Sequence, residues 1–193
     1  MAGTIKTNVQ LGDSSTATQN FTLTAAAADG TMKLARGNAG ATTQDILTVD
    51  ANGRVAMPNN VVAFSAYQSS AQSISSGSWT KVQFQTKEYD TISGFDNTTN
   101  YRFQPTVSGY YQIDGRFIGS TSNITGVSIY KNGTAYKGGN WGPNLTASIA
   151  SGLVYLNGST DYVELYVFVG VSLSGGATTT DGTYFQGALI AKA

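Results

Sequence analysis

Residues 95–117 read FDNTTNYRFQPTVSGYYQIDGRF, and this stretch decides the fold. An aromatic and an acid open it, Phe95 and Asp96. A proline, Pro105, follows where a turn is needed. From Gly109 the residues alternate, with Tyr111, Ile113, Gly115 and Phe117 on one side. A period of two is the signature of a half-buried strand. Working outward, strands are expected at 61–68, 79–85, 87–92, 99–104, 109–118, 125–131, 134–138, 146–156, 161–173 and 183–191. Asn132-Gly133 lies between Tyr130 and Tyr136 and predicts a hairpin with a primed turn. Asn157-Gly158 predicts another reversal. Many strands with no helix between them argue for a sandwich or jelly roll.

The strand from Asp161 carries two unlike faces. Val163, Leu165, Val167, Val169 and Val171 form an aliphatic side that belongs in the core. Tyr162, Glu164, Tyr166, Phe168 and Gly170 form the other. Glu164 in the middle argues against burial of that side. Aromatics with a polar handle suit subunit contacts, so Tyr162, Tyr166 and Phe168 are the candidate interface between copies of the chain.

Composition narrows the function classes. The 193 residues contain neither Cys nor His, which removes disulfides, thiol nucleophiles, imidazole bases and the commonest zinc ligands. Charged residues are 11% of the chain and balance to zero, where soluble proteins average about 25%. No basic run points to nucleic acid. No stretch reaches the roughly 18 apolar residues of a membrane span. The opening MAGTIKTNVQ lacks the hydrophobic region of a signal peptide. A cytoplasmically made chain acting outside its cell by lysis is the expectation.

Residues 1–58 differ in texture from the rest. Their apolar runs are short: Val9 to Leu11, Phe21 to Leu23, Met32 to Leu34, Ile46 to Val49 and Val55 to Met57. Gly12-Asp13, Asp29-Gly30, Gly37-Asn38 and Asn52-Gly53 read as turns between them. The alanine run from Ala25 to Ala28 reads as a linker or bent turn. Pro58 closes the region. Such hairpins need partners. The division expected is a β-hairpin module over 1–58 and a larger β domain over 59–193.

Several fragments resemble the C1q/tumour-necrosis-factor jelly roll over residues 61–193. Phe95-Asp96, Thr99-Asn100, the aromatic-then-proline pair Phe103 and Pro105, and Gly109 with Tyr111 and Ile113 follow that pattern. So do Lys131-Asn132-Gly133 and Phe185-Gln186-Gly187-Ala188-Leu189. Phe103 falls one residue later than in the pattern, and Ile113 replaces an aromatic. No Gly-x-y repeat precedes the head. The resemblance implies an all-β, trimeric, C1q-like jelly-roll head. Residues 5–58 resemble the opening of bacteriophage tail-fibre and related virion proteins, above all in DGTMKL at 29–34 and RGNAG at 36–40. That implies a virion attachment module.

Few residues suggest chemistry. Gly37 to Thr43 lacks the Gly-Lys-Ser/Thr ending of a phosphate loop. Glu88, Asp90 and Asp96 are either solvated turn charges or oxygen ligands for calcium. The segment from Tyr136 to Asn144 reads as a Gly-rich loop at the end of the sandwich. Tyr136, Asn140, Trp141 and Asn144 are the candidate glycan contacts, because aromatic platforms beside amides suit sugars. The alternative for Trp141 is a plug of the sandwich end or of a subunit seam. Trp79 reads as core or rim.

Together these readings imply a non-enzymatic bacteriophage virion protein without cofactor. The leading expectation is a short trimeric tail fibre that docks on other virion proteins through residues 1–58 and binds host-surface glycan. The alternative is a capsid decoration protein or head fibre. A depolymerase using paired carboxylates is the third.

Overall fold

The computed structural model describes residues 9–16, 20–26, 30–38, 41–57, 61–120, 122–175, 179–180 and 182–193. Among them there is no helix. The chain forms two compact units, Met1–Val61 and Val62–Ala193.

The first unit is a meander of β1 (Val9–Leu11), β2 (Phe21–Ala26), β3 (Thr31–Asn38), β4 (Ala41–Val49) and β5 (Val55–Ala56). Each strand pairs antiparallel with the next. The register sets Val9 opposite Leu23, Leu23 opposite Leu34 and Leu34 opposite Leu47, so the apolar residues share one face. Two expectations are corrected here. Ala25 and Ala26 complete β2 rather than a linker, because Met32 and Thr31 offer them ladder partners. Gly37-Asn38 ends β3 rather than turning, and Gly37 (φ 125°) sits at an irregularity in the ladder. The rest of the alanine run, Ala27-Ala28, lies outside the described residues, as do Asp29, Ala39-Gly40 and Pro58.

The second unit is a two-sheet sandwich. One sheet runs β10 (Phe95–Asp96), β11 (Arg102–Phe103), β16 (Val163–Val169), β13 (Ile124–Lys131) and β14 (Thr134–Leu145), with β8 (Trp79–Lys81) also on β16. The other runs β15 (Ala147–Asn157), β12 (Ser108–Ile118), β18 (Tyr184–Lys192), β6 (Ala63–Tyr67) and β9 (Thr86–Asp90). A short pair joins β7 (Gln72–Ile74) to β17 (Leu173–Gly175).

The alternation in 109–118 is the pleat of β12. Tyr111, Ile113 and Phe117 are fully buried. Gly115 belongs to the same side because the facing sheet comes close. A Cβ there would lie 2.5 Å from Leu165 Cδ1. Phe103 stacks on Phe64 at 4.2 Å, and Phe84 stacks on Phe185 at 5.6 Å. Burial of these rings is the main force joining the sheets. The Tyr111 hydroxyl donates to the Val107 carbonyl at 2.6 Å, so its polar end is satisfied. Burial pushes that phenol up to about 12. Asn132 (φ 53°) and Gly133 (φ 77°) make the primed turn between β13 and β14.

The strand from Asp161 is shorter than expected. It stops at Val169, where the Gly170 N–H bonds to the Asn123 carbonyl. Val171 therefore faces solvent at 58% exposure rather than the core. Glu164 corrects the inference drawn from its charge. It is buried, because Lys81 on β8 supplies an ammonium 2.6 Å away.

Candidate functional site

The segment from Tyr136 to Asn144 is not a loop. It is the body of β14, an edge strand with irregular register against β13. Its glycines and exposed side chains hide the strand signal, since no buried face imposes alternation. The four candidate glycan contacts therefore stand along one strand and do different things. The Asn140 Oδ1 accepts from the Ile149 N–H at 2.6 Å and the Ser148 hydroxyl at 2.9 Å, which ties β14 to β15. Asn144 takes a left-handed conformation (φ 57°) beside the bend into β15. Tyr136 lies near cations, with Lys137 Nζ 5.4 Å and Lys131 Nζ 6.0 Å from its ring. Trp141 is the most open aromatic, 62% exposed.

Trp141 has ring partners that sequence reading did not assemble. Its centroid is 5.7 Å from Trp79 and 5.7 Å from Phe168. Trp79 also contacts Phe168 at 5.7 Å and Tyr130 at 6.0 Å. Tyr130 stacks on Tyr166 at 3.9 Å with an interplanar angle of 20°. Four strands thus contribute to one aromatic surface: β8, β13, β14 and β16. Two of its rings, Tyr166 and Phe168, are candidate interface residues. They are half-buried beneath their own chain's rings. The third, Tyr162, lies under the Arg102 guanidinium at 4.1 Å. Burial raises the phenols of Tyr130 and Tyr166, the latter to about 12 with help from Glu164. Both hydroxyls stay protonated, neutral donors across the physiological range.

The opposite sheet turns a different surface outward. Ile149 (49% exposed), Leu153 (53%) and Tyr155 on β15 join Tyr110 on β12 and Ile190 (64%) on β18. Tyr110 and Tyr155 are cross-strand partners with rings 5.5 Å apart. A groove of about 220 Å³ crosses this face between Tyr89 and Ile190, with Gln112 and Asp114 in its lining. Sequence reading missed this face because β15 is apolar on both sides: Ala150, Val154 and Leu156 point in, while Ile149, Leu153 and Tyr155 point out.

The three carboxylates proposed for calcium are each engaged separately by protein donors. The Ser65 hydroxyl donates to Glu88 at 2.6 Å. Asp90 accepts from the Gly94 and Phe95 N–H groups and pairs with Lys87 at 3.3 Å. Its side chain is buried, so it is no solvated turn charge. Asp96 accepts from the N–H groups of Thr98, Thr99 and Asn100 and from the Asn100 amide. The Thr99 and Thr98 donors hold its carboxyl far below the usual range. Among the described residues no three acids gather as a metal site would require. A hollow of about 300 Å³ beside Asp96 is lined by Arg102, Gln104, Thr106 and Ser159.

No family model matches the chain, and no curated protein matches it. Solved structures do. The globular domain of zebrafish complement 1qA protein is 18% identical, with a TM-score of 0.51, covering 68% of this chain and 99% of that one. Murine APRIL at pH 8.0 is 10% identical, with a TM-score of 0.53, covering 67% of this chain and 99% of its own. Eiger TNF from S. frugiperda is 9% identical, with a TM-score of 0.51, covering 69% and 93%. At these identities the likeness concerns architecture, and it agrees with the sheet order above: the chain contains a jelly roll of the C1q/TNF type.

Proposed function

We propose that this chain is a non-enzymatic, homotrimeric binding head carried on a bacteriophage virion, a short tail fibre that recognises host-surface glycan. The observation carrying the assembly is the apolar outer face of β15, β12 and β18. Tyr110, Ile149, Leu153 and Ile190 are each about half exposed or more. A clustered apolar face of this kind is an association surface. Its counterpart on the other sheet is half-covered by the chain's own rings. The trimer contact is therefore assigned to Leu153 and its neighbours in preference to Tyr162, Tyr166 and Phe168. Three copies, rather than two, follow from the C1q/TNF resemblance. Three weak sites on one rigid body gain avidity on a repeating surface.

The virion assignment rests on the resemblance of residues 5–58. The apolar face of the β1–β5 sheet, with Val9, Leu11, Phe21 and Val55 exposed, supports docking on other virion proteins. The same face favours a second reading, a capsid decoration protein or head fibre clamped to the shell. Imaging of virions carrying a label on this chain separates the two. A fibre is found on tails, and added free protein blocks adsorption. A decoration protein is found on the capsid. If free protein neither binds cells nor competes with infection, the receptor-binding reading fails.

A further inference from the structure

The two tryptophans of the chain, Trp79 and Trp141, lie 62 residues apart in sequence yet 5.7 Å apart in space. We propose that the aromatic surface they form with Phe168, Tyr130 and Tyr166, with Trp141 as its exposed ring, is a binding site for a neutral, equatorially substituted oligosaccharide. The proposal rests on the glycan-binding reading above and gives it a place in the fold: the outer face of the β8, β16, β13 and β14 sheet, not a loop at the sandwich end.

Three features carry it. First, the Trp141 ring is seated. A Cβ on Gly126 would lie 2.5 Å from Trp141 Cε3, so only glycine lets the indole lie across β13. Next to it Gly138 has open space where a side chain would be. An exposed, held ring loses little conformational freedom when a ligand stacks on it. Second, the polar groups around the rings suit hydroxyls rather than an ion. Lys81 and Glu164 neutralise each other at 2.6 Å, and Tyr130 and Tyr166 keep neutral hydroxyls. β14 closes its sheet's order, and alternate backbone groups of an edge strand lack ladder partners. Such a mixture of apolar rings and few directional donors is what sugar C–H faces and hydroxyls complement. Third, a cluster of exposed apolar side chains, Tyr110, Ile149, Leu153 and Ile190, lies on the other sheet, and association through that cluster leaves this face accessible in the proposed assembly.

The test uses the full chain with cellohexaose and chitohexaose as probes. Because both tryptophans belong to the site, fluorescence excited selectively at tryptophan reports on it. Saturable change on titration, with affinity at least about tenfold weaker in Trp141→Ala, supports the proposal. Gly126→Ala, which keeps every aromatic residue but displaces the Trp141 indole from its seat on β13, is expected to weaken binding comparably. Binding by calorimetry that is unchanged in both variants overturns the site and leaves glycan binding intact. No binding of either probe overturns the site and removes this support from the glycan reading. A change in assembly mass in Trp141→Ala overturns it in favour of a contact between copies.

Discussion

Truncating Phe103 is the sharpest probe of the packing described above. Its ring is fully buried, stacks on Phe64 at 4.2 Å and meets Tyr111 edge-on at 5.7 Å. It therefore spans the two sheets. Phe103→Ala removes about 3–5 kcal/mol, combining lost transfer energy with the cavity left behind. About 0.5–1.5 kcal/mol of this is aromatic pairing beyond area. Phe103→Leu keeps most of the volume and should lose roughly half as much. Ser78→Ala, at an exposed position, should stay within about 0.5 kcal/mol. Guanidinium unfolding followed by fluorescence at fixed protein concentration measures all three, since association couples to stability. A loss below about 1 kcal/mol for Phe103→Ala would refute the account of a sheet-to-sheet core.

Other substitutions test separate claims. Lys81→Met strands the buried Glu164 carboxylate. The cost should be about 1–3 kcal/mol, below the full buried-pair value because Lys81 is partly exposed, and Glu164→Gln added to it should recover part of the loss in a double-mutant cycle. Gly133→Ala forces a Cβ onto a left-handed turn residue at φ 77° and should cost about 1 kcal/mol by thermal melting. Asp96 has a folded pKa below its unfolded value. Its contribution is present above the unfolded pKa of about 4 and is lost as pH falls through the folded one. Asp96→Ala should therefore lower stability at neutral pH and flatten the acid limb of the stability profile. An unchanged acid limb would contradict the assigned turn.

What could be read in advance was local. Tyr111, Ile113 and Phe117 announced β12 because one buried face imposes a period of two. Asn132-Gly133 announced its turn because only certain residues tolerate two left-handed conformations in a row. The all-β jelly roll followed from these and from the C1q-like fragments. What escaped was contributed from a distance. Glu164 is buried because of a lysine on another strand. Trp79 and Trp141 meet only after β16 and β13 bring β8 and β14 into one sheet. β14 itself has no buried face to pattern it, so its glycines read as a loop. The half-exposed Ile149 and Leu153 alternate with buried partners that are equally apolar, so their side of β15 carried no sign of solvent.

The central claim is that the head associates through the outer face of β15, β12 and β18. Light scattering on the purified chain, with Leu153→Glu run beside it, tests this most directly. The account predicts three times the 20.2 kDa chain mass for the natural sequence and a folded single-chain mass for the variant. A single-chain mass for the natural sequence, or an intact trimer in Leu153→Glu, would contradict it.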